Sequence, residues 1–420
     1  MQIFKFGGAS VKNAAAIRNV AKILESYKNE KLVIVVSAMG KSTNALEAIT
    51  DAYFYEKKER NSLFQQFKDF HYHIITELFG EKNHKVRTDI DAVFAKIERY
   101  FDKKTQASYN FIYDQIVSSG ELLSTILVSA YLNEKDLPTK WLDVRTCVKT
   151  DNVYREANIN WDLTRQKINE IVPALAEDSF VITQGFLGAT PEFFTTTLGR
   201  EGSDFTAAIF ANALDAEKMT VWKDVIGILN ADPRLVPNTI KISHLTYYEA
   251  IEMTYYGAKV IHPKTIKPIQ NKNIPLIVRS FAKPHENGTI IHTHSLPEKE
   301  KPPVIVFNKN QILLSIITKD FSFIAENNLS QIYQLFAKHR IKANLSQNAA
   351  ISFSACIDNV PYKVEPLIAD LNITYKVLSN KDLELITIRN YRDDVIKKYT
   401  KNRDIILQQK SRQTIQMLVK

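Results

Sequence analysis

Cysteine is almost absent from this chain. Cys147 and Cys356 are the only two in 420 residues, far apart and without the spacing of metal ligands. That excludes a disulfide scaffold and points to a reducing cytosol. Long apolar runs are missing as well; the continuous ones are far too short to span a bilayer. The first ten residues read as a strand and a glycine turn, not a signal peptide. A strong excess of one charge is also missing. The net charge is +9, but the basic residues are scattered among acidic ones, as on a solvated surface. No nucleic-acid-binding module is recognisable, and a mildly basic surface suits small anionic substrates. What remains is a globular composition, 45% hydrophobic and 24% charged, long enough for two or three domains.

The most informative stretch is Thr195–Ala208, TTTLGREGSDFTAA. Gly199 and Gly202 let the backbone turn sharply and approach a ligand. Ser203 and Asp204 open a small apolar helix, whose free N–H groups and dipole attract anions. Arg200 supplies a planar fork for a carboxylate or phosphate. The same residues also suit an ordinary capped loop, so the rest of the chain has to decide.

Ile3–Phe6 reads as a buried strand, followed by the turn Gly7–Gly8–Ala9–Ser10 and a helix over Asn13–Tyr27, with Ile17, Val20, Ala21 and Leu24 on one face. The turn matches neither GxxxxGK[ST] nor GxGxxG; it is a tight turn or, with Lys5 beside it, a phosphate cradle. Leu32–Ser37 is a continuous apolar strand of the parallel-sheet type. At its C-terminal end lies a polar loop with Thr43 and Asn44, either ligand contacts or helix caps. Residues 45–132 read as mostly helical. His71 and His73, two apart, are not on one helical face and read as surface or core histidines. Gly120–Glu121 introduces a helix, where the carboxylate either caps it or meets a substrate ammonium.

Strands follow at Thr139–Asp143, Phe180–Thr183, Met219–Lys223 and Leu276–Phe281, and a helix at Tyr248–Tyr256 ends at Gly257. Pro263 stands near the start of another helix. Asp224 ends the third of these strands, and the turn-rich segment of Gly227 and Ala231–Asp232–Pro233–Arg234 suits a nucleotide's phosphates and ribose, or a solvated loop. Ser295–Pro303 has linker composition. Beyond it, strands at Gln311–Thr318, Ile341–Leu345 and Ala350–Ile357 around a helix suggest a βαββ unit. Strands at Asp382–Asn390, Asp404–Lys410 and Gln413–Val419, with a helix near Asp393–Tyr399, suggest a second, shortened α+β module.

Taken together, KFGGAS (5–10), SSGELLST (118–125), TTLGREGSDFTAA (196–208), WKDVIGILNADPR (222–234) and GAKVIHPKT (257–265) resemble aspartate kinase, in that family's order. The resemblance implies the α/β amino-acid kinase fold, a mainly parallel sheet sandwiched by helices, over residues 1–298. It implies ACT-like regulatory and oligomerising modules over 299–420. Without a GxGxxG and stopping after the ACT region, the chain resembles the single-activity kinases. The implied reaction moves the γ-phosphoryl of ATP, brought with Mg2+, to the β-carboxylate of L-aspartate, the first step of aspartate-family amino-acid biosynthesis. The enzyme is expected to be cytoplasmic and a homodimer or larger, with no membrane or nucleic-acid partner and no metal site of its own.

The resemblance also assigns roles. Lys5, Gly8 and Asp204 are catalytic: Lys5 contacts the phosphates, Gly7 and Gly8 offer backbone N–H groups, Ser10 a hydroxyl, and Asp204 holds the catalytic cations in place. Arg200 and Ser203, with Thr43 beside them, grip the aspartate carboxylate, and Glu121 meets its ammonium. Lys223, Asp224, Asp232, Arg234 and Lys259 fall where the family binds nucleotide. Four positions depart from the pattern: Ala9 for Thr, Glu201 for Gly, Lys223 for Thr and Leu229 for Tyr. The alternatives are another kinase of this fold, acting on glutamate, N-acetylglutamate, carbamate or UMP, and a non-catalytic amino-acid sensor. In the segment Lys319–Glu326, where lysine-sensitive relatives bind effector, Ser322 replaces an expected glycine, so lysine and threonine are expected to inhibit weakly or not at all.

Overall fold

Strand β1 (Gln2–Phe6) lies near the middle of an eight-stranded sheet in a computed structural model that describes residues 1–80, 84–102, 106–258, 261–294, 296–297 and 301–420. Every residue of β1 and of β2 (Leu32–Val36) is buried, as strands covered on both faces require. Between them, α1 (Ala14–Glu25) buries Ile17, Val20, Ala21 and Leu24, and its N-cap Asn13 accepts from the Ala16 N–H at 2.9 Å.

A helical excursion follows: α2 (Ser42–Phe54), α3 (Arg60–Phe79), α4 (His84–Phe101), α5 (Tyr109–Val117) and α6 (Ser119–Glu134). His71 is a core residue whose ring meets the Phe67 carbonyl at 2.8 Å, and burial pushes its pKa down to about 4. Helical segments α5 and α6 together, Tyr109–Glu134, are long and apolar enough to cross a membrane, but 83% of the relevant stretch is buried inside the protein. Its apolar residues are interrupted by Ser, Gly and Thr, so no continuous run announces it; it is a core helix.

Then come β3 (Thr139–Leu142), α7 (Val144–Cys147), α8 (Trp161–Leu175), β4 (Phe180–Gln184), the two-stranded ribbon of β5 (Leu187–Ala189) and β6 (Thr195–Thr197), α9 (Gly202–Ala213), β7 (Lys218–Lys223), β8 (His244–Thr246), α10 (Tyr247–Tyr255), α11 (Pro263–Gln270), β9 (Leu276–Ser280) and β10 (Thr289–His292). The large sheet runs β3-β4-β2-β1-β7-β9-β10-β8. All of its pairings are parallel except β9 with β10. This compact unit comprises Met1–Ile228, Lys241–Ile251 and Val260–Ser295.

The second unit comprises Leu229–Ile240, Glu252–Lys259 and Leu296–Lys420. Its elements are β11 (Val304–Thr318), α12 (Glu326–Lys338), β12 (Ala343–Asn348), β13 (Ser352–Asp358), α13 (Pro361–Thr374), β14 (Tyr375–Arg389), α14 (Asp393–Thr400), β15 (Ile405–Lys410) and β16 (Thr414–Val419). These strands form one antiparallel sheet ordered β12-β13-β11-β14-β16-β15. The expectation was two small α+β modules, the second shortened, and the cores and the shared sheet show how they are joined. Strands β11 and β14 are long and pair along nearly their whole length, with irregular register around Asn308–Leu313. Ile312, Leu314, Ile316, Ile332, Phe336, Leu367 and Leu371 form one core. Ile305, Ile386, Ile388, Ile415 and Met417 form another, joined by Ala231 and Val236 from the first inserted segment.

Candidate active site

In the first unit, β1 and β7 pair side by side with Lys5 opposite Val221, and Lys223 ends β7. Helix α9 packs across these strands and presents Asp204 in its first turn, where a carboxylate complements the helix dipole. Lys5 Nζ lies 2.7 Å from Asp204 Oδ1 and Lys223 Nζ 3.6 Å from Oδ2, with the Lys5 and Asp204 side chains only 10% and 5% exposed. Burial pushes the Asp204 carboxyl up, but the charges of Lys5 and Lys223 outweigh it and hold the group below its usual range. One anion thus draws in two ammonium groups, that of Lys5 nearly out of solvent and that of Lys223 partly exposed.

The turn after β1 closes over this cluster. Residues Gly8–Val11 make a single helical turn of the tighter 3-10 type, entered through Gly7, and Ser10 is buried with Oγ 3.4 Å from the Trp222 carbonyl. Gly40 N–H donates to the Gly8 carbonyl at 3.0 Å. A Cβ on Gly8 would stand 2.7 Å from the Ala38 carbonyl oxygen, so this turn excludes any side chain there. Glu121, in the first turn of α6, accepts from the Ala38 N–H at 3.2 Å through Oε1, while buried Oε2 has no partner. Burial raises its pKa to about 8, against the pull of the Ala38 N–H, its own backbone N–H and the Lys5 charge. Thr43 sits half-buried in the first turn of α2.

The loop joining β6 to α9 carries Arg200, whose side chain is exposed, and the first turn of α9 carries buried Ser203. Gly199 has φ +74° and Glu201 φ +55°, so the position that departs from the family glycine adopts the left-handed conformation a glycine favours. Glu201 Oε2 accepts from the His262 N–H at 3.1 Å. Gly185 is demanded by contact: a Cβ there would lie 2.6 Å from Ser203 Oγ and 2.7 Å from its Cα. One supporting residue escaped the sequence reading. Buried Asp114 accepts from Thr197 Oγ1 at 2.7 Å, from the Thr197 N–H at 2.9 Å and from the Arg155 N–H at 2.9 Å. Burial raises its pKa to about 6 against these bonds. It anchors β6 just before the loop. Its signal was a lone Asp in the apolar sequence FIYDQIV.

The predicted nucleotide residues divide. Lys223 joins the cluster, and Asp224 follows it, exposed, on the same unit. Asp232 and Arg234 belong to the second unit, where the Arg234 guanidinium pairs with Asp232 at 2.6 Å. Lys259 lies outside the described residues. Among the described residues no group of His, Cys, Asp or Glu is arranged to hold a metal ion.

Residues 1–280 match the model of the amino acid kinase family. The chain is 32% identical over 360 residues to the lysine-sensitive aspartokinase 3 of Escherichia coli, covering 85% of this chain and 78% of that one. The chain belongs to the aspartokinases of the amino acid kinase family. Its match to the aspartokinase of Chlamydia trachomatis is 34% identical, over 72% of this chain and 67% of that one. The structure of E. coli aspartokinase III in complex with aspartate and ADP superposes with a TM-score of 0.82 at 27% identity, covering 100% of this chain and 96% of that one.

Proposed function

We propose that this aspartokinase transfers the γ-phosphoryl group of ATP to the β-carboxylate of L-aspartate. The observation that carries the reading is the Lys5–Asp204–Lys223 cluster, with Lys5 and Asp204 buried, next to a turn that admits no side chain at Gly8. Phosphoryl transfer asks for positioning and charge neutralisation more than covalent help. A carboxylate oxygen of aspartate attacks the γ-phosphorus as the bond to the β–γ bridging oxygen breaks, and ADP leaves with that bond's electrons. Lys5 and Lys223, held by Asp204, stabilise the charge spread over the transferring group. Gly7, Gly8 and Ser10 supply donors to the phosphates. Mg2+ brought with the nucleotide would supply further charge neutralisation at the phosphate oxygens.

Glu121 meets the aspartate ammonium with its free Oε2, while Arg200, Ser203 and Thr43 hold a carboxylate. Asp224, Asp232, Arg234 and Lys259 serve the nucleotide end. Residues 1–298 act as the catalytic domain and 299–420 as an ACT-like regulatory and oligomerising region, in a cytoplasmic homodimer or larger assembly. An ATP-dependent hydroxamate assay tests the reading: aspartate is turned over in strong preference to glutamate. Equal turnover of both amino acids, or none of either, would overturn it.

A further inference from the structure

Strand β6 is three residues long and pairs with β5 in a two-stranded ribbon of its own. A ribbon this short is not stable by itself in water, yet it carries the chain into the turn that presents Arg200. Its other edge is held by the last turn of α5. Gln115 brackets Thr195: its Nε2 donates to the Thr195 carbonyl at 2.8 Å, and its Oε1 accepts from the Thr195 N–H at 3.3 Å. Asp114 brackets Thr197, with Oδ2 accepting from the N–H and Oδ1 from the hydroxyl. Two consecutive helix side chains thus stand in for a third strand. Asp114 is fully buried, and a carboxylate in that position is costly unless its oxygens are hydrogen-bonded.

The same Oδ2 accepts from the Arg155 N–H, so the carboxylate reaches a second piece of chain. Arg155 has φ +73°, a conformation that costs a residue with a side chain energy and persists where its surroundings fix it. The Arg155 carbonyl oxygen and Glu156 Cγ each lie 3.3 Å from where a Cβ on Gly199 would stand. The Ala157 N–H donates to the Thr197 carbonyl at 3.0 Å. Asp114 therefore fixes both the strand that enters the Gly199–Arg200 turn and the segment on which that turn rests. We propose that Asp114, seconded by Gln115, is a positioning residue for the acceptor substrate, setting where Arg200 and Ser203 meet the aspartate carboxylate. It acts through the loop, not on the substrate. The inference rests on the reading that Arg200 and Ser203 grip aspartate.

Steady-state kinetics of the full chain test it. Asp114→Ala strands the Thr197 and Arg155 N–H groups and should raise the KM for aspartate about tenfold, with kcat and the KM for ATP near those of the unaltered enzyme. Asp114→Asn should restore the KM. Its amide oxygen accepts both N–H groups, and the Thr197 hydroxyl, which can donate or accept, turns to accept from the amide nitrogen. Gln115→Ala, at a half-buried position, should raise the KM about threefold, and it decides the matter if Asp114→Ala does not fold. A merely structural anchor would lower the melting temperature and the active fraction, hence kcat, and leave the KM where it was. That result, or an Asn variant as impaired as the Ala variant, would overturn the proposal. Arg200→Ala separates this inference from the reading beneath it. A KM raised there but unmoved in Asp114→Ala and Gln115→Ala overturns the positioning role alone. An Arg200→Ala KM that stays put overturns the assignment of the loop, and this role with it.

Discussion

Lys5 is the residue whose removal should matter most. Its ammonium is buried and aimed by Asp204 rather than free in solvent, so the protein has already met the work of orienting it. Lys5→Ala should lower kcat by about 100- to 1,000-fold, the usual effect of losing one preorganised donor, while the far-ultraviolet spectrum stays native; near-normal turnover would place the chemistry elsewhere. Asp204 carries a linked stability term. Its folded pKa is depressed, so the stabilisation is present above the unfolded value and is lost as pH falls through the folded one. Glu121 has the opposite sign. Its folded pKa is raised from 4.5 to about 8, so in the empty enzyme its burial erodes stability as pH climbs across that interval. In the proposed reading, the aspartate ammonium pairs with the charged form of Glu121. The KM for aspartate should therefore fall roughly tenfold between about pH 7 and about pH 8.5, with protons released on binding. In Glu121→Gln the KM should be high and flat; a slope that persisted there would assign the titration to another group.

At the scale of elements, the site depends on how closely α9 approaches the strand ends. Gly185 follows β4 and lies against Ser203, with no room for a methyl group. Gly185→Ala would push the α9 N-terminus outward, carrying Ser203 and Asp204 with it. The expected loss is about 1–3 kcal/mol of stability, typical of overpacking, together with a raised KM for aspartate; an unchanged melt and KM would show that the helix start is not fixed by this contact. Much of this architecture was legible beforehand. The apolar runs Ile3–Phe6 and Leu32–Ser37, the helical period after Asn13 and the glycine-bounded loops each carry a local signal that tertiary packing does not override. Other parts carried none. Helix α13 contains Pro366 within it and Pro361 at its start, which masks its period. The threonines of β6 read as a polar run because the acceptor they meet, Asp114, is 83 residues away in sequence. Likewise, nothing local in Leu229–Ile240 or Glu252–Lys259 says that these segments pack with the C-terminal unit.

At the scale of the whole molecule, the C-terminal unit leaves apolar surface uncovered. Phe321 and Phe323 are 75% and 76% exposed, and Ile373 is 77% exposed; side chains of this size left in water point to association. The double variant Phe321→Lys/Phe323→Lys should shift the enzyme toward monomer in light scattering, and an unaltered mass would exclude this segment from the assembly. The same turn bears on regulation, because an effector acts only by binding one conformational state better than another. Here the turn over residues 318–324 satisfies itself. The Ser322 N–H and Oγ donate to Asp320 Oδ1 at 3.1 and 2.7 Å, and Thr318 Oγ1 donates to the Ser322 carbonyl at 2.7 Å. Lys319 Nζ caps the Asn372 and Ile373 carbonyls at the end of α13, at 2.8 and 3.0 Å. A ligand must break bonds the protein already makes with itself, so the differential affinity is small. Lysine and threonine should each inhibit weakly or not at all in a steady-state kinase assay; half-inhibition by either at sub-millimolar concentration would mean that the turn opens to admit it.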